Sequence, residues 1–283
     1  MSEAGGRMSD AAARLCARAE ALSIARRVLA LCVALVTCAV GQALLPSADA
    51  ATAARLSSAI VAPSPEQSPE ARQLSNERTL TTWAHPVELG PIYARPEPTA
   101  HRVGRVHLET EDGFEEVYLL LSSYTDASGN EWVRLRVPGR PNGRTGWVSR
   151  ELLGAFHQTR WLIVVNLHLR RLTAYLDGHL RMTAPVGVGK PSTPTPPGHF
   201  WIRERFAVSS PSNPYWPYAL GTSDYSTLTE WPGGGVVGIH GDFGEPGAIP
   251  GDPSHGCVRM RDADIAWLGP RVTLGTPVRI VSG

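Results

Sequence analysis

A cysteine and two histidines near the end of the chain have side chains suited to nucleophilic chemistry. They are His240, His255 and Cys257, and the other three cysteines all lie before residue 39. A thiol attacks as its thiolate, which an unperturbed cysteine barely populates at neutral pH. A neighbouring imidazole that takes the thiol proton makes it nucleophilic, so this grouping predicts acyl transfer.

A disulfide and a metal site are the two alternatives for the same residue types. Cleavage of a leader after Ala50 would leave one cysteine in the mature chain, which excludes an internal disulfide. A zinc site remains open, although it does not explain the glycine and arginine beside the cysteine. Its ligands would be His240, Asp242, His255 and Cys257.

Two glycines fit the acyl-transfer interpretation. Gly256, directly before the cysteine, lets backbone N–H groups approach a substrate carbonyl and stabilise an oxyanion. Gly241, directly after the first histidine, permits a tight turn beside the base.

The motifs "IHG" and "SHGCVRM" resemble the active-site signature of the L,D-transpeptidase catalytic domain, or YkuD domain. The stretch "TPTPPGHF" is similar to that family's Thr-Pro-x-Gly-x-Phe element, with Thr195, Pro196, Gly198 and Phe200 at its fixed positions. The resemblance covers residues 161–282. It implies a curled β-sandwich whose cysteine lies in a pocket under a flap.

The resemblance also assigns roles to individual residues. Cys257 would be the nucleophile and His240 the general base, oriented by the backbone carbonyl of Gly241. Ser254 and His255 would shape the site, and Arg259 would either brace the loop or meet a substrate carboxylate. The oxyanion donors would be the N–H groups of His255, Gly256 and Cys257.

An irregular stretch, residues 211–235, is rich in aromatic residues. Its glycines and prolines suit a lid over the substrate, and its aromatic rings suit contacts with amides and sugars. Pinning of a long loop to its own domain is the alternative. The aromatic residues concerned are Trp216, Tyr218, Tyr225 and Trp231.

The reaction implied by the resemblance begins with a peptidoglycan stem tetrapeptide. Cys257 would attack the carbonyl of its third residue, release the terminal D-Ala and hold the acyl group as a thioester. An amine from a second stem would then form a cross-link, whereas water would make the protein an L,D-carboxypeptidase. The resemblance implies no cofactor or metal, and carbapenems as inhibitors. A non-catalytic cell-wall-binding protein is the alternative from another class.

The elements that must position these residues are mainly β. Residues 158–283 show an apolar strand at 161–167, a hairpin signal at Asp177-Gly178 and helical character only in "DADIAWLGPRV". Residues 85–154 show short strands separated by turn signals, which predicts a small barrel. Their "IYARPEPTAHRVGRV", "EWVRLRV" and "GWVSRELL" resemble the bacterial SH3-like domain. Such a domain implies contact with the glycan or wall, or a packing role without a ligand.

The first 84 residues indicate export. Arginines precede the apolar run "VLALCVALVTCAV" and a small-residue site follows, so we expect residues 1–50 to be a signal peptide or a membrane anchor. Residues 51–84 are interpreted as a flexible linker. The expected location is therefore the periplasm or the cell wall. A net charge of +1 gives no indication of a nucleic-acid partner.

Overall fold

The computed structural model describes residues 71–230 and 232–283, which are mainly β. They belong to one compact unit that extends over Pro63–Gly283. Outside the described residues lie the predicted signal or anchor, most of the predicted linker and Trp231. Within the described part, no helix is both long and apolar enough to cross a membrane.

The first sheet has eight strands in the order β4-β3-β7-β6-β5-β2-β8, with β1 paired to β5. Burial alternates along "TGWVS", as expected for a strand with one face toward the core. Its core includes Ile92, Tyr118, Leu120 and Leu135. The strands are β1 (Arg72–Gln73), β2 (Thr81–Ala84), β3 (Pro91–Tyr93), β4 (Arg102–Arg105), β5 (Tyr118–Thr125), β6 (Glu131–Arg136), β7 (Thr145–Ser149) and β8 (His157–Thr159).

The structure corrects the linker prediction over residues 71–84. β1 and β2 lie in this segment, and all four residues of β2 are buried. The Pro- and Ala-rich composition ends before this point, whereas "TLTTWA" carries the β-branched and aromatic residues that favour a strand. β8, which begins one residue before the predicted second domain, pairs with β2 and belongs to the first sheet.

The second sheet contains nine strands in the order β10-β9-β17-β12-β13-β14-β16-β11-β15. β10 also pairs with β11, so the sheet curls back on itself. An α-helix, α1 (Asp262–Leu268), lies between the last two strands of the chain. It has two aspartates in its first turn, where the helix dipole favours negative charge. The strands are β9 (Trp161–Asn166), β10 (Arg171–Leu176), β11 (His179–Gly189), β12 (Gly198–Ala207), β13 (Tyr218–Tyr225), β14 (Val236–His240), β15 (Gly251–Ser254), β16 (Val258–Met260) and β17 (Pro277–Val281).

The two sheets are joined by buried polar contacts. The Arg203 guanidinium on β12 forms a two-pronged ion pair with Glu116, which precedes β5, and both side chains are almost fully buried. The indole N–H of Trp201 donates to the carbonyl of Val117 at 2.7 Å. Because such contacts leave no buried charge unpaired, they fix how the first sheet packs on the second.

Candidate active site

Two adjacent parallel strands bring the predicted nucleophile and base to one face of the second sheet. β14 and β16 pair with Ile239 opposite Val258 and His240 opposite Arg259. Side chains alternate between the two faces along a strand. Ile239 and Val258 point to one face, and the residues on either side of each point to the other face. Cys257 and His240 therefore share a face with Gly238, which has no side chain.

Cys257 is partly buried. Its Sγ accepts a hydrogen bond from the N–H of Gly238 at 3.4 Å. Burial raises the pKa of the thiol, and an ionised Asp224 would raise it further; the Gly238 N–H and Arg259 act against the rise. Cys257 is therefore held as a neutral thiol at neutral pH.

The His240 ring is buried, with only 4% of the residue exposed. Nδ1 lies 3.0 Å from the carbonyl oxygen of Gly241. Because a carbonyl can only accept, Nδ1 carries the hydrogen and the lone pair of the neutral ring is on Nε2. Burial and the charge of Arg259 lower the pKa of His240 to about 4, although the carbonyls of Gly241 and Pro214 favour the protonated ring.

These two pKa shifts have a common cause, because burial disfavours both the thiolate and the imidazolium. The resting pair is thus neutral, which differs from the ion pair expected for a Cys-His enzyme. The hydrogen bonds recorded for the described residues include none between His240 and Cys257. Proton transfer therefore belongs to the substrate complex, in which catalytic hydrogen bonds tighten.

The loop before Cys257 is held by two hydroxyl groups. Ser254 Oγ donates to the carbonyl of Cys257 at 2.6 Å and accepts from the N–H of Gly256 at 3.1 Å. Thr195 Oγ1 donates to the carbonyl of Gly256 at 2.7 Å and accepts from the N–H of Gly189. The Thr-Pro-x-Gly-x-Phe element therefore braces the nucleophile loop.

This bracing changes one of the predicted oxyanion donors. The N–H of Gly256 is occupied by Ser254 Oγ and is not free for a substrate. No hydrogen bond recorded among residues 71–230 and 232–283 uses the N–H of Cys257, which leaves this group available. Gly256 has a φ of +128° and packs against Ser226, so glycine is required here by conformation and by space.

Arg259 has the bracing contacts that were one of its two predicted roles. Its Nη1 lies 2.9 Å from Oε2 of Glu245, and its guanidinium stacks over the ring of Phe243 at 5.0 Å. Since Arg259 also lowers the pKa of both reacting groups, it favours a thiolate and a neutral imidazole. His255, at the exposed end of the loop, has Nε2 3.0 Å from Nζ of Lys190.

The aromatic segment before β13 covers the base. The Tyr215 ring meets the His240 ring edge-on at 5.1 Å, and a Cβ at Gly241 would overlap the carbonyl oxygen of Trp216. Tyr215 was missed by the sequence analysis, because nothing local distinguishes it from its aromatic neighbours. Beside it is a cleft of about 300 Å³, whose lining includes Pro211, Asn213, Pro214, Trp216 and Phe243.

Tyr218 packs within its own domain, which was the alternative given for the aromatic stretch. Its ring fills the space next to Gly269 and lies under the guanidinium of Arg205 at 5.8 Å. Tyr225 is also buried, where its hydroxyl accepts from Arg203 at 2.8 Å. Of the predicted aromatic contacts that the structure describes, Trp216 alone lines the cleft.

The ligand set of the zinc alternative is not assembled. Within residues 71–230 and 232–283, no group of three or more His, Cys, Asp or Glu side chains is close enough to hold a metal ion. The carboxylate of Asp242 instead accepts from the N–H of Gly244 at 2.9 Å and from the N–H of Asp262, at the start of α1, at 3.4 Å.

Comparison with known proteins finds matches to the residues that form the second sheet. Residues 160–280 match the family model of the L,D-transpeptidase catalytic domain, YkuD. "L,D-transpeptidase 1" of Mycobacterium tuberculosis is 30% identical over 167 residues, which cover 53% of this chain and 65% of that protein. "Putative L,D-transpeptidase YkuD" of Bacillus subtilis is 34% identical over 118 residues, covering 42% of this chain and 64% of that protein. The chain thus spans just under two thirds of the length of these relatives.

Among solved structures, an Enterococcus faecium L,D-transpeptidase is 26% identical, with a TM-score of 0.34 over 42% of this chain and 49% of that one. The structure of LD transpeptidase LdtMt1 in complex with imipenem is 18% identical, with a TM-score of 0.36 over 72% of this chain and 83% of that one. At these TM-scores the likeness adds nothing to the sequence match.

Proposed function

Because residues 160–280 match the family model of the YkuD L,D-transpeptidase catalytic domain, we propose that this protein is a peptidoglycan L,D-transpeptidase acting through a thioester on Cys257. The observation that carries the proposal is the shared face of β14 and β16. There, a partly buried cysteine lies directly before β16, and a buried imidazole, whose Nδ1 donates to a carbonyl, lies on the neighbouring β14.

The first half-reaction transfers the acyl group to the enzyme. Cys257 Sγ attacks the carbonyl carbon of the third residue of a stem tetrapeptide while His240 Nε2 takes the thiol proton. The N–H of Cys257 donates to the oxyanion. Collapse of the tetrahedral intermediate breaks the bond to D-Ala, whose amine takes the proton from His240.

The second half-reaction returns the thiol. The amine of another stem attacks the thioester, gives its proton to His240 and expels the thiolate, which recovers that proton. The product is a cross-link between third residues. Water in place of the amine gives L,D-carboxypeptidase activity. Every proton and acyl group in this sequence is handled by the chain's own residues.

The proposal includes two statements that depend on sequence alone. Export to the periplasm or cell wall follows from the apolar run in residues 1–50, and a cytoplasmic protein would not reach peptidoglycan. The SH3-like assignment of residues 85–154, with contact to glycan or wall, also stays a prediction.

The test is turnover of a purified stem tetrapeptide by the full chain, with Cys257→Ala and Cys16→Ala as a matched pair. Mass spectrometry should find free D-Ala and a cross-linked dimer with the wild type and Cys16→Ala. Cys257→Ala should give neither product. The wild type should also gain the mass of a carbapenem, and the adduct should lie on the Cys257 peptide.

Two outcomes would contradict the proposal. D-Ala release by a correctly folded Cys257→Ala protein would remove the nucleophile assignment. Binding of whole sacculi with no acylation of the wild type by stem peptide or carbapenem would favour the non-catalytic alternative. Free D-Ala without a dimer would identify a carboxypeptidase.

A further inference from the structure

A turn of the first sheet reaches the nucleophile loop of the second. This turn, residues 137–144 between β6 and β7, carries Arg140 and Asn142. Arg140 donates to the carbonyl of Ser226 at 2.6 Å and to that of Gly234 at 3.0 Å. Ser226 in turn packs on Gly256, where a Cβ would come within 3.1 Å of the Ser226 Cβ. The turn is thus connected to the nucleophile loop through a single residue, Ser226.

Both the N–H and the oxygen of the Asn142 side-chain amide form hydrogen bonds with the end of β13. Its Nδ2 donates to Asp224 Oδ1 at 2.7 Å and to the carbonyl of Tyr225 at 3.0 Å. Its Oδ1 accepts from the N–H of Tyr225 at 3.2 Å. An amide with both its donor and acceptor groups engaged has one orientation, so it fixes Asp224 as well as the strand.

Asp224 is a fully buried carboxyl group with an incomplete set of partners. It is 0% exposed, and its Oδ2 has no hydrogen-bond partner among the described residues. A buried polar atom without a partner in a folded protein requires an explanation. The reaction assigned to Cys257 and His240 does not use this carboxyl.

We propose that Asn142 and Asp224 are a positioning pair for the Cys257 thiol, which makes the turn of the first sheet a working part of the catalytic site. The proposal rests on the proposed role of Cys257. It adds that the first sheet acts on the chemistry directly, in addition to any contact it makes with the cell wall.

The electrostatic sense of this pair follows from burial. Burial raises the pKa of Asp224 to about 8, against the opposing effects of the Tyr225 N–H, Asn142 and Arg140. At neutral pH Asp224 is therefore a neutral acid. Its ionised form would raise the pKa of Cys257, so the neutral form leaves the thiol easier to deprotonate. The groups that face the pair are the charged guanidinium of Arg140 from the turn and the neutral thiol of Cys257 from the nucleophile loop.

The test is the pH dependence of Cys257 alkylation by iodoacetamide in the full chain, followed on the Cys257 peptide by mass spectrometry. In the wild type the rate should rise with pH and then flatten above about pH 8, as Asp224 ionises. Asp224→Asn keeps the shape and the acceptor for Asn142 but cannot ionise. Its rate should continue to rise and exceed the wild-type rate severalfold above about pH 8, because no ionised carboxylate then raises the pKa of the thiol.

Asn142→Ala removes a hydrogen bond that lowers the pKa of Asp224, so the flattening should move to higher pH. The matched control is Asn130→Ala, in the neighbouring turn of the same sheet. Asn130 also donates to an aspartate, Asp126, at 2.9 Å, but this pair is exposed. Asn130→Ala should reproduce the wild-type profile.

The proposal is overturned if Asp224→Asn and Asn142→Ala have the wild-type profile, and also if Asn142→Ala only lowers the melting temperature. Alkylation requires no stem peptide, so this result is independent of the proposed function. A shifted profile in a protein that does not turn over stem peptides would reject the transpeptidase assignment and keep the positioning pair.

Discussion

At the scale of single residues, the site is built around two groups that burial keeps uncharged. The thiol of Cys257 has a raised pKa and the ring of His240 a lowered one. A neutral pair costs less to bury than an ion pair, because neither partner has to leave water as an ion. The cost is that the nucleophile has to be formed during the reaction, with Arg259 near both groups to favour the thiolate.

This neutral resting state predicts the acid limb of the pH profile. A general base works only when unprotonated, and the pKa of His240 is lowered to about 4. The rate of Cys257 acylation by a carbapenem should therefore persist well below pH 6.5 and fall as the pH approaches about 4. The measurement is the second-order acylation rate, read from the adduct mass after quenching. An acid limb centred near the pKa of an ordinary histidine, about 6.5, would show that the ring is solvated.

Stability has to be followed in the same samples. The unfolded chain protonates His240 below about pH 6.5, whereas the folded protein does so only near pH 4. The unfolded state therefore binds more protons between these values, and the free energy of unfolding decreases as the pH falls through them. Circular dichroism at each pH separates this loss from a loss of the base.

At the scale of elements, the turn between β11 and β12 supports the loop before β16. Thr195 connects the two, because its hydroxyl donates to the carbonyl of Gly256 and also accepts from the N–H of Gly189. The sequence motif thus acts through hydrogen bonds to the backbone of the nucleophile loop, without touching the reacting atoms.

Two threonines in this turn give a matched test. Thr195→Val keeps the shape but leaves the carbonyl of Gly256 without its donor, which should cost about 1–3 kcal/mol of unfolding free energy. It should also slow acylation of Cys257. Thr193→Val should cause no such loss, since Thr193 Oγ1 is buried without a hydrogen-bond partner in the described part of the chain. Urea unfolding and the acylation rate check both, and equal behaviour of the two variants would contradict the bracing role.

At the scale of the whole molecule, the two sheets are joined by a buried ion pair as well as by apolar packing. Arg203 contacts Glu116, Glu111 and the hydroxyl of Tyr225. Tyr225 neighbours Asp224 and Ser226, so the contact between the sheets and the support of the nucleophile loop lie on one stretch of β13.

Loss of this pair should weaken the whole protein. Arg203→Met leaves the carboxylate of Glu116 buried without its partner, which should cost about 3–5 kcal/mol of unfolding free energy. The control is Arg170→Met, because the ion pair of Arg170 with Asp252 is exposed to solvent and its loss should cost far less. Urea unfolding gives both values. The expectation fails if Arg203→Met costs no more than Arg170→Met.

The sequence by itself predicted the candidate reactive residues and the mainly β character, and the structure confirms the second of these. Both depend on short spacings: the "IHG" and "SHGCVRM" motifs place their residues within a few positions, and strand alternation has a period of two. The limits of the first sheet were set wrongly at residues 71–84, where a composition typical of a linker was extended past its end.

Only the tertiary structure decided how the site is completed. Asn142 and Asp224 are 82 positions apart, and Arg203 and Glu116 are 87 apart, so no local pattern connects them. Burial, which sets the protonation of Cys257, His240 and Asp224, is also a property of the packed chain. The reason is that a pKa and a long-range hydrogen bond depend on which segments meet, and this is fixed only when the two sheets pack together.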